Sequence, residues 1–144
     1  MLHRPVSNKA EEFKEEMEGD TVGYRITDKD TGKSLVYVPD MREITPLVLR
    51  KMDDAEVLIF DGTFYRDDEL IRLGISEKTS KELGHTPMVG VGGSIEVLRE
   101  LKVRHKLYTH LNNTNPAILE DSSERKRLHD EGFKVARDGE VIDL

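Results

Sequence analysis

The sequence of 144 residues contains no cysteine and no long uncharged apolar run. The lack of cysteine excludes disulfide bonds, thiolate zinc sites and cysteine nucleophiles. A bilayer span needs about 18 consecutive apolar residues, and the first 20 residues lack the apolar segment of a signal peptide. We therefore expect a cytoplasmic protein that does not insert into a membrane.

The sequence also lacks an excess of positive charge. Lys and Arg total 22 against 29 Asp and Glu, which gives a formal net charge of −7. The basic residues are interspersed with acidic ones, so no basic stripe is available to bind a phosphate backbone, and no nucleic-acid partner is expected. Hydrophobic residues make up 36% and form distinct runs, which predict one folded domain.

Apolar runs and turn residues predict an α/β fold with a mainly antiparallel sheet and helices on one face. A polar segment, residues 1–19, precedes the domain proper at 20–144. The predicted strands lie near 21–27, 33–39, 55–61 and 103–110, with a terminal hairpin about Asp138-Gly139, and the helices near 45–52, 94–101 and 122–131.

Asp61 is the strongest single candidate for a functional residue. It follows the apolar run AEVLIF, residues 55–60, which is typical of a strand buried on both faces. Polar side chains at the carboxyl ends of strands often emerge into a site. The alternative is a carboxylate that only caps the next turn through the backbone N–H groups of Gly62 or Thr63.

Two histidines are candidates for the same site. His110 ends a second predicted strand, so it would meet Asp61 if both strands lie in one sheet and run the same way. Carboxylate and imidazole together can hold a divalent metal. His85 lies on a glycine-rich loop, where an imidazole can serve as acid or base. The alternatives are a hydrogen-bonded histidine at a strand end and a surface loop histidine.

A proline-closed turn after His110 is rich in amides, with Asn112, Asn113 and Asn115 in the run HLNNTNP. Such side chains either bond their own backbone or line a polar substrate pocket. The GVGG segment at 90–93 has neither the Walker spacing nor GxGxxG, which excludes nucleotide binding by this loop.

Five segments together carry a family resemblance: DTVGYRI, YVPDM, LIFDGTFYRDDELIRLG, KELGHTPMVGVGGSIEVL and THLNNTNP. From about residue 19 to its end, the chain resembles the C-terminal half of the coenzyme pyrroloquinoline quinone (PQQ) synthesis protein B family, in the metallo-β-lactamase-fold superfamily. The resemblance implies half of an αββα sandwich. The acidic and histidine cluster of the family's first half is not in this sequence.

The resemblance also implies roles for individual residues. Asp61 and His110 match metal ligands, for iron or zinc, and His85 matches a catalytic pocket histidine. Thr63, Asn112, Asn113 and Asn115 are then expected to bind substrate. Because a closed site needs at least three protein ligands, we expect this chain alone to hold the metal weakly.

The implied function is PQQ biosynthesis, by metal-dependent oxidation or hydroxylation of the tyrosine-derived precursor, or transport of PQQ. Two alternatives stay open: a truncated or split chain acting as a non-catalytic carrier or interaction module, and a hydrolase of another small molecule. A half-sandwich leaves one sheet face uncovered, so we expect a homodimer or pairing with the missing N-terminal half.

Overall fold

The computed structural model describes residues 21–144, which form one five-stranded sheet with short helices. The predicted polar segment 1–19 lies outside the described residues. Within 21–144, no helix combines the length and apolar character that a membrane crossing requires. The strands are Tyr24–Thr27 (β1), Ser34–Val38 (β2), Val57–Asp61 (β3), His105–Thr109 (β4) and Phe133–Val135 (β5). The α-helices are Pro46–Met52 (α1), Glu69–Arg72 (α2), Ser94–Leu98 (α3) and Ser123–Asp130 (α4), with 3₁₀ turns at Lys81–Leu83 and Pro116–Ile118.

The strands lie in the sheet in their sequence order. Only β1 and β2 are antiparallel, whereas β2, β3, β4 and β5 run parallel to their neighbours. The α/β class is confirmed, but the expectation of a mainly antiparallel sheet is wrong. The reason is that β2 reaches β3 through α1, and β4 reaches β5 through α4, and helical crossovers of this kind join parallel strands.

The predicted terminal hairpin is also wrong, because only its first strand, β5, forms. Residues Asp138 and Gly139 do make a turn, and Gly139 has φ +76°. The residues after this turn have no strand partner within 21–144. The chain instead leaves the sheet after Ala136, whose N–H donates to Tyr108 O at 2.8 Å.

Helix α1 begins where the sequence predicts. The hydroxyl of Thr45 accepts a hydrogen bond from Val48 N–H at 3.3 Å, and Pro46 occupies the first helical position. Proline is favoured there because its missing N–H would have no partner inside the helix. In the same way, Ser122 caps α4 by accepting from Arg125 N–H at 3.0 Å.

The core lies on one face of the sheet, beneath the helices. Side chains of β3 and β4 that point to this face, among them Leu58, Phe60 and Tyr108, form one buried cluster with residues of the helices. The helical members are Met52 of α1, Ile95 and Leu98 of α3, and Leu128 of α4. The prediction that the helices cover one face is confirmed.

The second face of the sheet is less well covered. Leu35, Tyr37 and Ile59, which alternate with the core residues, are half-buried on this face. Ile26 and Tyr24 of β1 pair with Leu35 and Tyr37 of β2. The side chain of Ile26 is 61% exposed and that of Tyr24 is 54% exposed. The apolar strip therefore runs across three strands.

Candidate metal centre

The parallel strands bring three polar residues to one edge of the sheet. Two of them were predicted from the sequence, and Asp40 was not. Asp40 follows β2, Asp61 ends β3, and His110 follows β4. Asp61 lies opposite Thr109 in the β3–β4 pairing, so His110 is the next residue along. The condition under which the sequence places Asp61 beside His110, two neighbouring strands running the same way, is met.

Asp61 is completely buried, and its two carboxylate oxygens have four polar contacts. Its Oδ1 accepts from Thr63 N–H at 3.0 Å and from the Thr63 hydroxyl at 2.6 Å. Its Oδ2 accepts from Met41 N–H at 3.1 Å and lies 2.8 Å from His85 Nδ1. Asp61 therefore caps its own turn and faces an imidazole at the same time, so the two interpretations of the sequence are compatible.

Three potential metal ligands converge here. One ligand atom each from Asp61, His85 and His110 lie within 4.8 Å of one another. The closest approach of His110 to the carboxylate is 3.7 Å, from Nδ1 to Asp61 Oδ1. A catalytic zinc typically takes three protein ligands from His and carboxylate groups and keeps one position open. This donor set fits a divalent metal, and His85, predicted to be catalytic, is close enough to be a third ligand.

His85 is held by acidic groups on two sides. Besides Asp61, its Nδ1 lies 3.3 Å from Asp40 Oδ1, and its ring contacts Phe64 edge-on, with the centroids 5.8 Å apart. Burial lowers the pKa of His85, but the hydrogen bond and charge of Asp61, with a smaller effect of Asp40, outweigh burial and raise the pKa above its usual value of 6.5. The imidazole is thus suited to hold a proton near neutrality.

His110 has a left-handed backbone, with φ +61°. A non-glycine residue is uncommon in this region and costs about 1–2 kcal/mol there. His110 keeps this conformation while its Nδ1 lies 2.8 Å from the hydroxyl of Thr63, and its side chain is 55% exposed. Unfavourable backbone conformations of this kind cluster at functional sites.

The amide-rich turn divides into parts with different surroundings. Asn115 is buried, and its amide donates to Gly62 O at 2.8 Å and accepts from Ala117 N–H at 2.9 Å. These contacts tie the turn to the Asp61 loop, and Asn115 is only 2% exposed. The predicted substrate contact of Asn115 stays a prediction. Asn112 is half-buried and donates to the Thr114 hydroxyl at 2.6 Å, whereas Asn113 is exposed.

Thr63, predicted to bind substrate, is buried with its hydroxyl directed at Asp61 and the two histidines. Asp40 and the N–H of Met41 are parts of the site that the sequence interpretation missed. The signal for them was present, since YVPDM, like FDGT, places a carboxylate at or just after the end of a strand. It becomes meaningful only when β2 is known to run parallel to β3.

One domain family and several relatives match this sequence. The sequence profile described as "Beta-lactamase superfamily domain" matches residues 2–111. The chain is 42% identical over 127 residues to coenzyme PQQ synthesis protein B of Bradyrhizobium diazoefficiens, and 43% identical over 126 residues to that of Cupriavidus taiwanensis. Each match covers 88% of the chain but only 41% of the relative, so the chain spans about two fifths of the relatives' length.

Solved structures agree with the sequence matches. Zn²⁺-bound PqqB from Methylobacterium extorquens aligns with a TM-score of 0.81 and 40% identity, over 86% of this chain and 44% of that one. A diphosphatase from the PhnP family aligns with a TM-score of 0.53 and 17% identity, over 86% of this chain and 43% of that one, which shows likeness of fold alone. The resemblance to coenzyme PQQ synthesis protein B is confirmed.

Proposed function

Because the chain belongs to the beta-lactamase superfamily domain family, we propose that Asp61 and His110 supply ligands for a divalent metal in a protein of PQQ biosynthesis. The observation that carries the proposal is the convergence of Asp61, His85 and His110 at one sheet edge, in a chain 42% identical to coenzyme PQQ synthesis protein B. The Zn²⁺-bound state of a relative with 40% identity supports a metal at this fold.

The proposed reaction is metal-dependent oxidation or hydroxylation of the tyrosine-derived precursor. Iron, when bound, would supply oxygen activation, and zinc would supply a Lewis acid. Residues of this chain would handle a proton and orient the substrate. His85 holds or transfers a proton through its contact with Asp61 Oδ2, and Asn112 and Asn113, which follow His110 closely in the chain, offer amides to orient polar groups of the substrate.

A complementation experiment tests this proposal. A bacterium lacking its own coenzyme PQQ synthesis protein B would express this chain, with and without the segment of a relative that this chain does not cover. We expect PQQ, measured by mass spectrometry, to appear when both pieces are present. Asp61→Ala and His110→Ala should abolish it and His85→Ala should reduce it, whereas the exposed His129→Ala should have no effect.

A second candidate function is a non-catalytic carrier or interaction module, which would include a part in PQQ transport. The observation that favours it is coverage, since 41% of a relative's length leaves room for essential ligands elsewhere. In that case PQQ accumulation or release would respond to the chain while Asp61→Ala and His110→Ala remained fully active. That result would contradict the metal-dependent proposal.

A further inference from the structure

A surface cavity of about 470 Å³ has an excess of positive charge, although the whole chain is acidic, with a net charge of −7. Two acidic residues line this cavity, Asp67 and Asp68. Four basic residues line it as well and leave an excess of two positive charges. They are Arg66, Arg72 of α2, Lys81 of the first 3₁₀ turn and Arg127 of α4.

The two acidic residues neutralise little of this charge. Asp68 lies 3.8 Å from Arg72, but both side chains are more than half exposed, so the ion pair is weak. Asp67 Oδ1 accepts a hydrogen bond from the backbone N–H of Lys81 at 3.0 Å. Within residues 21–144, the other three basic side chains of the cavity form no ion pair with a carboxylate.

Two of the guanidinium groups are held next to one buried residue, Tyr65. Cζ of Arg66 lies 5.7 Å from the centroid of the Tyr65 ring, which is 2% exposed. Burial raises the pKa of Tyr65, Glu124 of α4 adds to the rise, and the charge and hydrogen bond of Arg127 oppose it. Both guanidinium groups therefore have a fixed neighbour, which reduces the entropy that they lose when a ligand binds.

The third basic group, Lys81, connects the cavity to the glycine-rich loop. Its Nζ donates to Val91 O at 3.0 Å, and an ammonium group has two further protons for other acceptors. The donors of the cavity are thus side chains from several elements. The missing Walker spacing in the loop at 90–93 does not affect them, because they do not depend on a phosphate-binding loop.

We propose that this cavity binds a small anion that carries at least two phosphate or carboxylate groups. The planar guanidinium group forms two parallel hydrogen bonds with the oxygens of either group. A cavity of about 470 Å³ is within the usual size range of small-molecule sites. None of its lining residues is among the three potential metal ligands, so this site goes beyond the metal centre and does not depend on it.

Isothermal titration calorimetry of the metal-free chain at constant ionic strength tests the proposal, with inorganic pyrophosphate and citrate as separate probes. We expect at least one of them to bind with one molecule per chain. Binding of pyrophosphate alone identifies phosphate as the recognised group, and binding of citrate alone identifies carboxylate. Arg66→Gln and Arg127→Gln should each weaken binding about 10-fold. Asp68→Asn should tighten it about 2- to 5-fold.

The matched control is Lys134→Gln, which removes the same charge from an exposed side chain that lines a different cavity. Its affinity should stay close to that of the wild type. The proposal is overturned if neither probe binds at millimolar concentration, or if Lys134→Gln weakens binding as much as Arg66→Gln and Arg127→Gln do. Because these side chains are exposed, the variants should keep the wild-type circular dichroism spectrum. Failure here leaves the metal centre unaffected, since no metal is present in this measurement.

Discussion

Buried hydroxyl groups in this protein differ in whether they have a partner. Ser94 Oγ lies 2.8 Å from the Tyr108 hydroxyl, but Ser34 Oγ, on β2, has no hydrogen-bond partner within residues 21–144. An unsatisfied buried polar group costs about 1–3 kcal/mol. We therefore expect Ser34→Ala to raise the free energy of unfolding by about 1 kcal/mol, measured by urea denaturation. Ser94→Ala should lower it, and a loss of stability in Ser34→Ala would show that Ser34 has a partner.

The raised pKa of His85 predicts how the metal-free protein responds to pH. Because the folded state binds this proton more tightly than the unfolded state, the contribution of His85 is full below its usual pKa of 6.5 and disappears as pH rises through the raised value. With a chelator present, the stability difference between wild type and His85→Gln should therefore shrink as pH rises through that window. Urea denaturation at several pH values measures it, and a difference that stays constant would contradict a raised pKa.

Individual site residues were predictable to the extent that a single strand determines them. Asp61 stands out because an apolar run ends abruptly in a carboxylate, and this needs no knowledge of the neighbours. The central position of Thr63 depends on two loops meeting across the sheet edge. The left-handed backbone of His110 could not be predicted from the sequence either, because the position is not a glycine.

At the scale of secondary structure, alternating and continuous apolar runs predicted the positions of the five strands to within a few residues, together with a last strand after Asp138-Gly139 that does not form. They did not predict the direction of the strands, because the alternation of side chains is the same in parallel and antiparallel strands. The information was in the connections, since the residues between β2 and β3 include a capped helix at Thr45-Pro46. A helix between two strands is therefore a better indication of strand direction than a turn such as Asp138-Gly139, which here only turns the chain.

Packing between β3 and β4 makes Gly62 the element-scale test. A Cβ atom at Gly62 would lie 2.8 Å from Met88 Cε, 2.9 Å from Tyr108 Cβ and 3.0 Å from Thr109 O. Gly62→Ala should therefore separate the ends of the two strands and lower the free energy of unfolding by about 1–3 kcal/mol. Because Gly62 lies between Asp61 and Thr63, zinc affinity should fall as well.

Gly23→Ala is the matched control for this prediction. Its Cβ would meet its nearest neighbours, Tyr37 O and Val38 Cγ2, at 3.4 Å, which is an ordinary contact. We expect its stability and zinc affinity to remain close to those of the wild type. Equal behaviour of Gly62→Ala and Gly23→Ala in both measurements would mean that the strand ends adapt without cost.

At the scale of the whole molecule, the less well covered part of the sheet face, near β1 and β2, predicts association. Tyr24, Ile26, Leu35, Tyr37 and Ile59 form an apolar strip on it, and such surfaces mark contacts with partners. Light scattering at micromolar concentration should therefore show a species larger than a monomer, and Ile26→Lys should reduce its size. Thr27→Lys, on the same strand but facing the other way, is the control. A wild-type protein that stays monomeric contradicts this prediction.

The last prediction joins the metal centre to the length of the chain. Asp61 and His110 alone leave most coordination positions to water, so the chain should lose Fe²⁺ or Zn²⁺ on dialysis. Adding the segment of a relative that this chain does not cover should bring further ligands and tighten binding, and Asp61→Ala or His110→Ala should abolish that gain. His85→Ala should retain the metal if His85 handles protons.

A tightly held, stoichiometric ion in the chain alone would instead make His85 the third ligand, because its Nδ1 already lies 2.8 Å from Asp61 Oδ2. Metal retained after both Asp61 and His110 are replaced would place the site elsewhere.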